Sequence, residues 1–320
     1  MRALLIIHPA SRTGGALLAQ FGVFFVRPRF CRTVAIALDF STCLQEIADS
    51  VRLRQLSLWA GSGISHEPPS ALPLANELKF YVLEQICDFG DLRGLYESRL
   101  QEGKDIGEKI RSYPLEAFLE GISENHDILR SIAEVFRQGS PNSNHITIAR
   151  LLQRGLVREV LTTNFDLLIE KALEQTGEHI GVNYEVYFTE DEFSGIDTHP
   201  PLPAIFKIHG SAGDEGSMRV TLSQVASQRL SQGRAKVLEH FLASERGIVL
   251  VLGYSASDDF DINPVLSAID PKKTIIFVSH TPGEHEVREL PQHFRNFRGW
   301  RMICDTNEVT ECLRRVLHDA

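Results

Sequence analysis

Apolar positions along the chain recur with two periods, and the change from one to the other marks its elements. Leu44, Ile47, Ala48, Val51 and Leu53 fall at helical spacing, with Ser41 or Thr42 suited to the N-cap. Gln55–Ala60 then reads as a first strand. Further strands are predicted where short apolar runs end in glycine or small polar residues: Leu156–Thr163, Ala204–Ile208, Gly247–Leu252, Thr274–Val278 and Trp300–Ile303. Asn183–Phe188 alternates and reads as another. Leu168–Leu173 and Val309–Leu317 carry helical stripes, and Glu190–Pro203 reads as a polar, proline-bearing loop. Between residues 74 and 154 nearly everything is helical, as in the stripes Leu74, Leu78, Val82 and Ile86, then Leu115, Phe118 and Leu119, then Ile146, Ala149, Leu151 and Leu152. A block of that length between two strands exceeds a simple crossover and predicts an inserted helical subdomain able to cover a cleft. Strands alternating with helices predict an α/β fold with a Rossmann-like parallel sheet.

Residues 1–38 break the pattern. They carry Arg2, Arg12, Arg27, Arg29 and Arg32, and the first acid is Asp39. Their apolar run, 16–26, is too short to span a bilayer. This stretch reads as a poorly ordered basic extension, with 39–320 as the folded domain; a transit peptide or sequence upstream of the true start has the same composition. The formal net charge of -9 over 320 residues gives no general basic surface, so direct nucleic-acid binding is not indicated. The five cysteines, Cys31, Cys43, Cys87, Cys304 and Cys312, are scattered and never paired as Cys-x-x-Cys. That predicts reduced thiols, no zinc module and a cytoplasmic protein without a membrane span.

The chemistry-bearing residues cluster where strands end, the edge at which parallel α/β sheets bind ligands. Gly61-Ser62-Gly63-Ile64-Ser65 follows the first strand, and its glycines allow close backbone approach to a phosphate or simply make a tight turn. Thr163-Asn164-Phe165-Asp166 follows the second, where Asn164 and Asp166 read equally as an ordinary helix N-cap or as polar groups facing a cleft. His209-Gly210 follows Ala204–Ile208 and offers either a turn cap or a proton-transfer group. Gly253-Tyr254-Ser255 follows Gly247–Leu252, and the acids after it, Asp258, Asp259 and Asp261, read as a solvated helix N-terminus rather than a metal site. His145 reads as a capping or packed histidine rather than a ligand.

Taken in order, these four motifs resemble the sirtuin family, and more closely its SIR2-like branch found in bacterial anti-phage defence proteins. Gly61-Ser62-Gly63-Ile64-Ser65 looks like the Gly-Ala-Gly-x-Ser phosphate loop, and Thr162-Thr163-Asn164-Phe165-Asp166 like the Thr-Gln-Asn-Ile-Asp motif. Ile208-His209-Gly210 looks like the catalytic His-Gly, and Gly253-Tyr254-Ser255 with Asp258 like the Gly-Thr-Ser. The resemblance implies NAD+ as substrate and cleavage of its nicotinamide–ribose bond through an oxocarbenium-like transition state. It implies that Asn164 holds the ribose and a water, that His209 is a general base on a ribose hydroxyl, and that Asp166 orients the ribose. It implies further that Gly61, Ser62, Gly63, Ser65, Thr163, Gly253 and Ser255 line the cofactor. The four-cysteine zinc ribbon of sirtuin deacylases has no counterpart, since no cysteine lies between Cys87 and Cys304, so no metal is expected. Loss of that module points to NAD+ hydrolysis, regulated by an activating partner or a homo-oligomer because free hydrolysis would be toxic. The alternatives are a zinc-free protein deacylase and a non-catalytic NAD or ADP-ribose-binding module.

Overall fold

The computed structural model describes residues 39–89, 104–121, 126–196, 200–226, 230–243 and 247–319; the basic stretch 1–38 lies outside them. Eight strands make one sheet: β1 (Leu56–Ala60), β2 (Val157–Thr162), β3 (Glu185–Tyr187), β4 (Ala204–Lys207), β5 (Ile248–Leu252), β6 (Thr274–His280), β7 (Glu286–Arg288) and β8 (Arg298–Cys304), in the order β3-β4-β2-β1-β5-β6-β8-β7. All neighbours are parallel except β7, which runs antiparallel to β8. The fold is thus Rossmann-like α/β. The chain enters at β1, moves outward through β2 to β3 at the edge, steps back to β4, and crosses to β5 on the other side of β1. Ala60 lies opposite both Thr162 and Leu252, and Thr162 opposite Lys207. The carboxyl ends of β4, β2, β1 and β5 therefore finish side by side around the reversal of strand order, where such sheets open a ligand crevice.

The inner strands are largely apolar because both faces are covered, with Ser57, Arg158, Glu159 and Lys207 among the polar exceptions. Leu56, Leu58, Leu250, Leu252 and Ile276 face one core, beneath α1 (Phe40–Arg52), α6 (Ser143–Gln153), α7 (Leu168–Gln175) and α12 (Thr306–Asp319). Trp59, Leu161, Phe206, Val249, Val251 and Phe277 face the other, beneath α10 (Gln232–Ala243) and α11 (Ile262–Leu266). The alternation follows the two-residue period of a strand. The cap of α1 is Asp39 rather than Ser41 or Thr42: its carboxylate accepts the Thr42 N–H at 2.7 Å.

The predicted helical run divides in two. α2 (Ala75–Phe89) is tied to α3 (Lys104–Ser112) by the Lys79 ammonium, which donates to Ile110 O and Arg111 O. With α4 (Leu115–Glu120) and α5 (His126–Arg137), α2 buries Leu78, Val82, Leu119, Ile132, Ala133 and Phe136 in a third core. α6 instead buries Ile148, Ala149, Leu151 and Leu152 against the sheet, so it is the crossover into β2 and the helical block ends near residue 137. The predicted loop after Glu190 begins with α8 (Glu190–Gly195). Thr189 Oγ1 accepts the Glu192 N–H and the Glu192 carboxylate accepts the Thr189 N–H, a capping box that outweighs the polar composition. α9 (Leu222–Ala226) completes the helices among the described residues, none of which is long and apolar enough to cross a membrane.

Candidate functional site

The turn after β2 is stitched from within. Asn164, buried, donates from Nδ2 toward Gly61 O at 3.2 Å, Ser65 Oγ at 3.3 Å and Asp166 Oδ2 at 3.2 Å. Its Oδ1 is buried with no hydrogen-bond partner. Asp166 accepts from Ser65 Oγ at 2.8 Å and, through Oδ1, from the Leu168 N–H at 3.0 Å. Asp166 therefore ties the start of α7 to Asn164 and to Ser65 of the loop after β1. Below the turn, the buried Lys207 ammonium reaches the carbonyls of Phe165 and Asp166 and pairs with Glu170 at 2.8 Å. A lone lysine inside Ala-Ile-Phe-Lys-Ile is the sequence signal that could have marked this strut, because a lysine is buried only when paired.

Behind Asp166 stands His145. Its Nδ1 accepts the Asn142 N–H at 3.2 Å in the capping box of α6. That assigns the ring proton to Nε2, which donates to Ser65 Oγ at 3.0 Å, while Ser65 passes its own proton toward Asp166. Burial pushes His145 down to about 4, against the pull of Asp166, so it is neutral near pH 7. His145 is thus the cap that its position suggests and also the far end of a relay. Ser65, expected on the cofactor, is fully buried and commits its hydroxyl to this relay instead.

Of the two roles open to the glycines, phosphate approach or a tight turn, their hydrogen bonds describe the turn. Gly61 N–H donates to Leu252 O at 2.9 Å and Gly63 N–H to Gly253 O at 2.8 Å, so these donors are not available to a phosphate. A Cβ on Gly61 would stand 2.5 Å from Tyr254 Cα, and one on Gly253, at φ +66°, 2.4 Å from Ile64 N. The loops after β1 and β5 pack backbone on backbone, which only glycine permits. Ser62, Gly63 and Ser255 are exposed and Thr163 and Gly253 half-buried, so these residues form the open rim. Ser255 Oγ lies 2.7 Å from Ser257 Oγ.

His209 sits in the turn after β4, its carbonyl accepting the Arg219 N–H at 2.8 Å and its ring 6.4 Å from that of Phe165. Gly210 takes φ +92°, and a Cβ there would meet Ser217 O at 2.1 Å. Asp261, which sequence reasoning left in solvent, is buried: Oδ1 caps α11 through the Ile262 N–H at 2.7 Å, and Oδ2 lies 3.2 Å from His209 Nε2. Only the fold brings these distant positions together. Burial opposes charge on His209, but Asp261, then Asp258 and Glu116, raise its pKa to about 9. Burial likewise opposes ionisation of Asp261, and the charge of His209 holds it below the usual carboxylate range. The couple is an imidazolium–carboxylate pair at neutral pH. Asp258 and Glu116 are both half-buried and raised, chiefly by burial; Glu116 reaches this field from α4 of the helical block.

Among the described residues, Glu67, His280 and Asp305 form a group of metal-ligand types. His280 Nδ1 accepts the Thr306 N–H at 3.2 Å, which puts its proton on Nε2, the nitrogen facing Glu67 at 3.8 Å, and leaves no lone pair there for a cation.

No curated protein matches the chain. A solved chain reported under "Structural Basis for the Mechanism and Regulation of Sir2 Enzymes" is similar over 86% of this chain and 98% of its own, at 14% identity and a TM-score of 0.42. Residues 158–282, which carry β2 to β6 and with them Asn164, Asp166, His209, Gly253 and Asp261, match the model of the SIR2-like domain.

Proposed function

We propose that this protein cleaves the nicotinamide–ribose bond of NAD+ with water, giving nicotinamide and ADP-ribose. The observation that carries the reading is a set of buried polar atoms without hydrogen-bond partners at the ends of adjacent parallel strands: Asn164 Oδ1 beside β2, and His209 Nε2 with Asp261 Oδ2 beside β4. Buried polar atoms are rarely left unmade, and hydroxyls, which donate and accept at once, would complete them. A ribose brings two such groups. In this reading a ribose bound between Asp166 and Asp261 would have the positive charge that develops at C1′ favoured by their carboxylates as the bond breaks. Asn164 holds the ribose and the incoming water, His209 in its neutral form takes a hydroxyl proton, and Asp166, set by Ser65 and His145, orients the sugar. The rim residues Ser62, Gly63, Thr163, Gly253 and Ser255 take the rest of the dinucleotide. The match to the SIR2-like domain and the ordered motifs support the same substrate. An activating partner or self-association belongs to this proposal as its regulation.

The test is nicotinamide release from NAD+ by the purified protein, with and without an acetyl-lysine peptide. Release without peptide is expected. Asn164→Ala and His209→Ala should each reduce it by at least about 100-fold, the scale of general-base and charge-stabilising groups. Turnover only with peptide would replace the hydrolase by the deacylase, and parental turnover in either variant would overturn the residue roles.

A further inference from the structure

His209 and Asp261 face each other from the turn after β4 and the cap of α11. Their nearest atoms are 3.2 Å apart and both side chains are buried. The contact is close enough for an ion pair that raises the proton affinity of the ring, yet its poor alignment leaves Nε2 and Oδ2 short of a well-formed hydrogen bond. Charge therefore holds the couple while its hydrogen-bonding capacity stays open to a ligand. The other ionisable groups around the ring are Asp258 beside Tyr254, Glu116 on α4, and Arg219, which faces Asp261. Asp261 is the only carboxylate among them within ion-pair distance of the ring in the described residues.

We propose that Asp261 is the positioning residue of His209: it holds the ring in place and keeps it charged in the ligand-free site, so that His209 becomes a base only when a hydroxyl-bearing ligand takes over the couple's open hydrogen bonds. A charged imidazole has no lone pair with which to accept a proton. As the ligand hydroxyl bonds to Asp261 Oδ2, the pair weakens, the Nε2 proton leaves to water, and the neutral ring accepts the proton of a ligand hydroxyl. The empty site is a resting state by construction. This inference rests on the NAD+-cleaving reading and concerns how that same site is held between turnovers.

The experiment is a pH titration of the His209 ring by NMR in the full-length protein without ligand, its resonance assigned with His209→Gln. The parent ring should titrate near pH 9. In Asp261→Asn its proton affinity should fall at least tenfold. Asp261→Ser, which can still cap α11, should behave alike and serves if the asparagine variant does not fold. Alongside, the acid limb of kcat/KM for nicotinamide release should move to lower pH in both variants, while Asp261→Glu restores the parental limb. A ring that titrates in the variants at the parental pH overturns the proposal, as does an unmoved acid limb. If no form of the protein releases nicotinamide at any pH, the hydrolase reading fails by itself, and the ring titration still decides the role of Asp261.

Discussion

Lys207 supports the turn after β2 from below, beside the bonds that Asn164 and Asp166 make within it. Its side chain is 1% exposed and that of Glu170 9%, with 2.8 Å between their charges. The same ammonium holds the carbonyls of Phe165 and Asp166. Lys207→Met would leave the Glu170 carboxylate buried without its cation, which costs about 3–5 kcal/mol when one partner of a buried pair is removed. Urea denaturation should show a lower midpoint at unchanged slope. The double variant Glu170→Gln, Lys207→Met should recover much of the loss, because no charge is then left unpaired. A double variant less stable than Lys207→Met would mean that the carbonyl contacts, not the ion pair, hold the turn.

At the scale of elements, the close meeting of the loops after β1 and β5 governs the crevice. Gly253 combines φ +66° with an imagined Cβ 2.4 Å from Ile64 N, and a Cβ on Gly63 would lie 2.8 Å from Gly253 Cα. Gly253→Ala should therefore destabilise by more than the ~1–2 kcal/mol of a left-handed residue alone. Gly63→Ala should also destabilise, and the two changes should fall short of additivity because the same contact is lost; full additivity in denaturation midpoints would separate the loops. These glycines were visible in the sequence, but their purpose was not. A Gly-x-Gly after a strand looks the same whether it receives a phosphate or another loop. The strands that carry the motifs were legible because they are short, largely apolar runs ending in glycine or small polar residues, and the motif order followed from them. β3 was legible by alternation, whereas β7, only Glu286-Val287-Arg288 at the sheet edge, has no such signal and was not predicted. α8 was legible in principle, since Thr189 and Glu192 have capping-box spacing, but the prolines that follow drew the reading toward a loop. The pairing of His209 with Asp261 had no local signal, and an acid cluster near a helix start ordinarily stays in water.

Across the described residues, the helical block and the loops after β2 and β4 share one core. Leu168, Ala212, Met218 and Val220 from the site side pack with Leu78, Leu119 and Ile132, Phe136 lies 5.5 Å from Phe165, and Arg137 Nε donates to Ala212 O at 2.6 Å. Stability and site protonation are therefore coupled, and two buried histidines pull in opposite directions. An unfolded histidine titrates near 6.5. Folded His209, at about 9, keeps a proton that the unfolded chain releases, so its contribution is complete below pH ~6.5 and is lost as pH rises toward 9. Folded His145, at about 4, refuses a proton that the unfolded chain takes, so stability is lost as pH falls from ~6.5 toward 4. Each limb can reach at most about 1.4 kcal/mol per pH unit for one proton. Glu116 and Asp258, both raised, retain protons in the folded state and act against the acid limb, so the informative quantity is the difference between parent and variant. His209→Gln should flatten the alkaline limb of stability measured in urea from pH 4 to 9. His145→Gln, which keeps a capping-box residue at the start of α6, should flatten the acid limb. An alkaline limb that persists unchanged in His209→Gln would show that the charge of the couple does not contribute to the fold, and Asp261 would then have to be held by its cap on α11 alone.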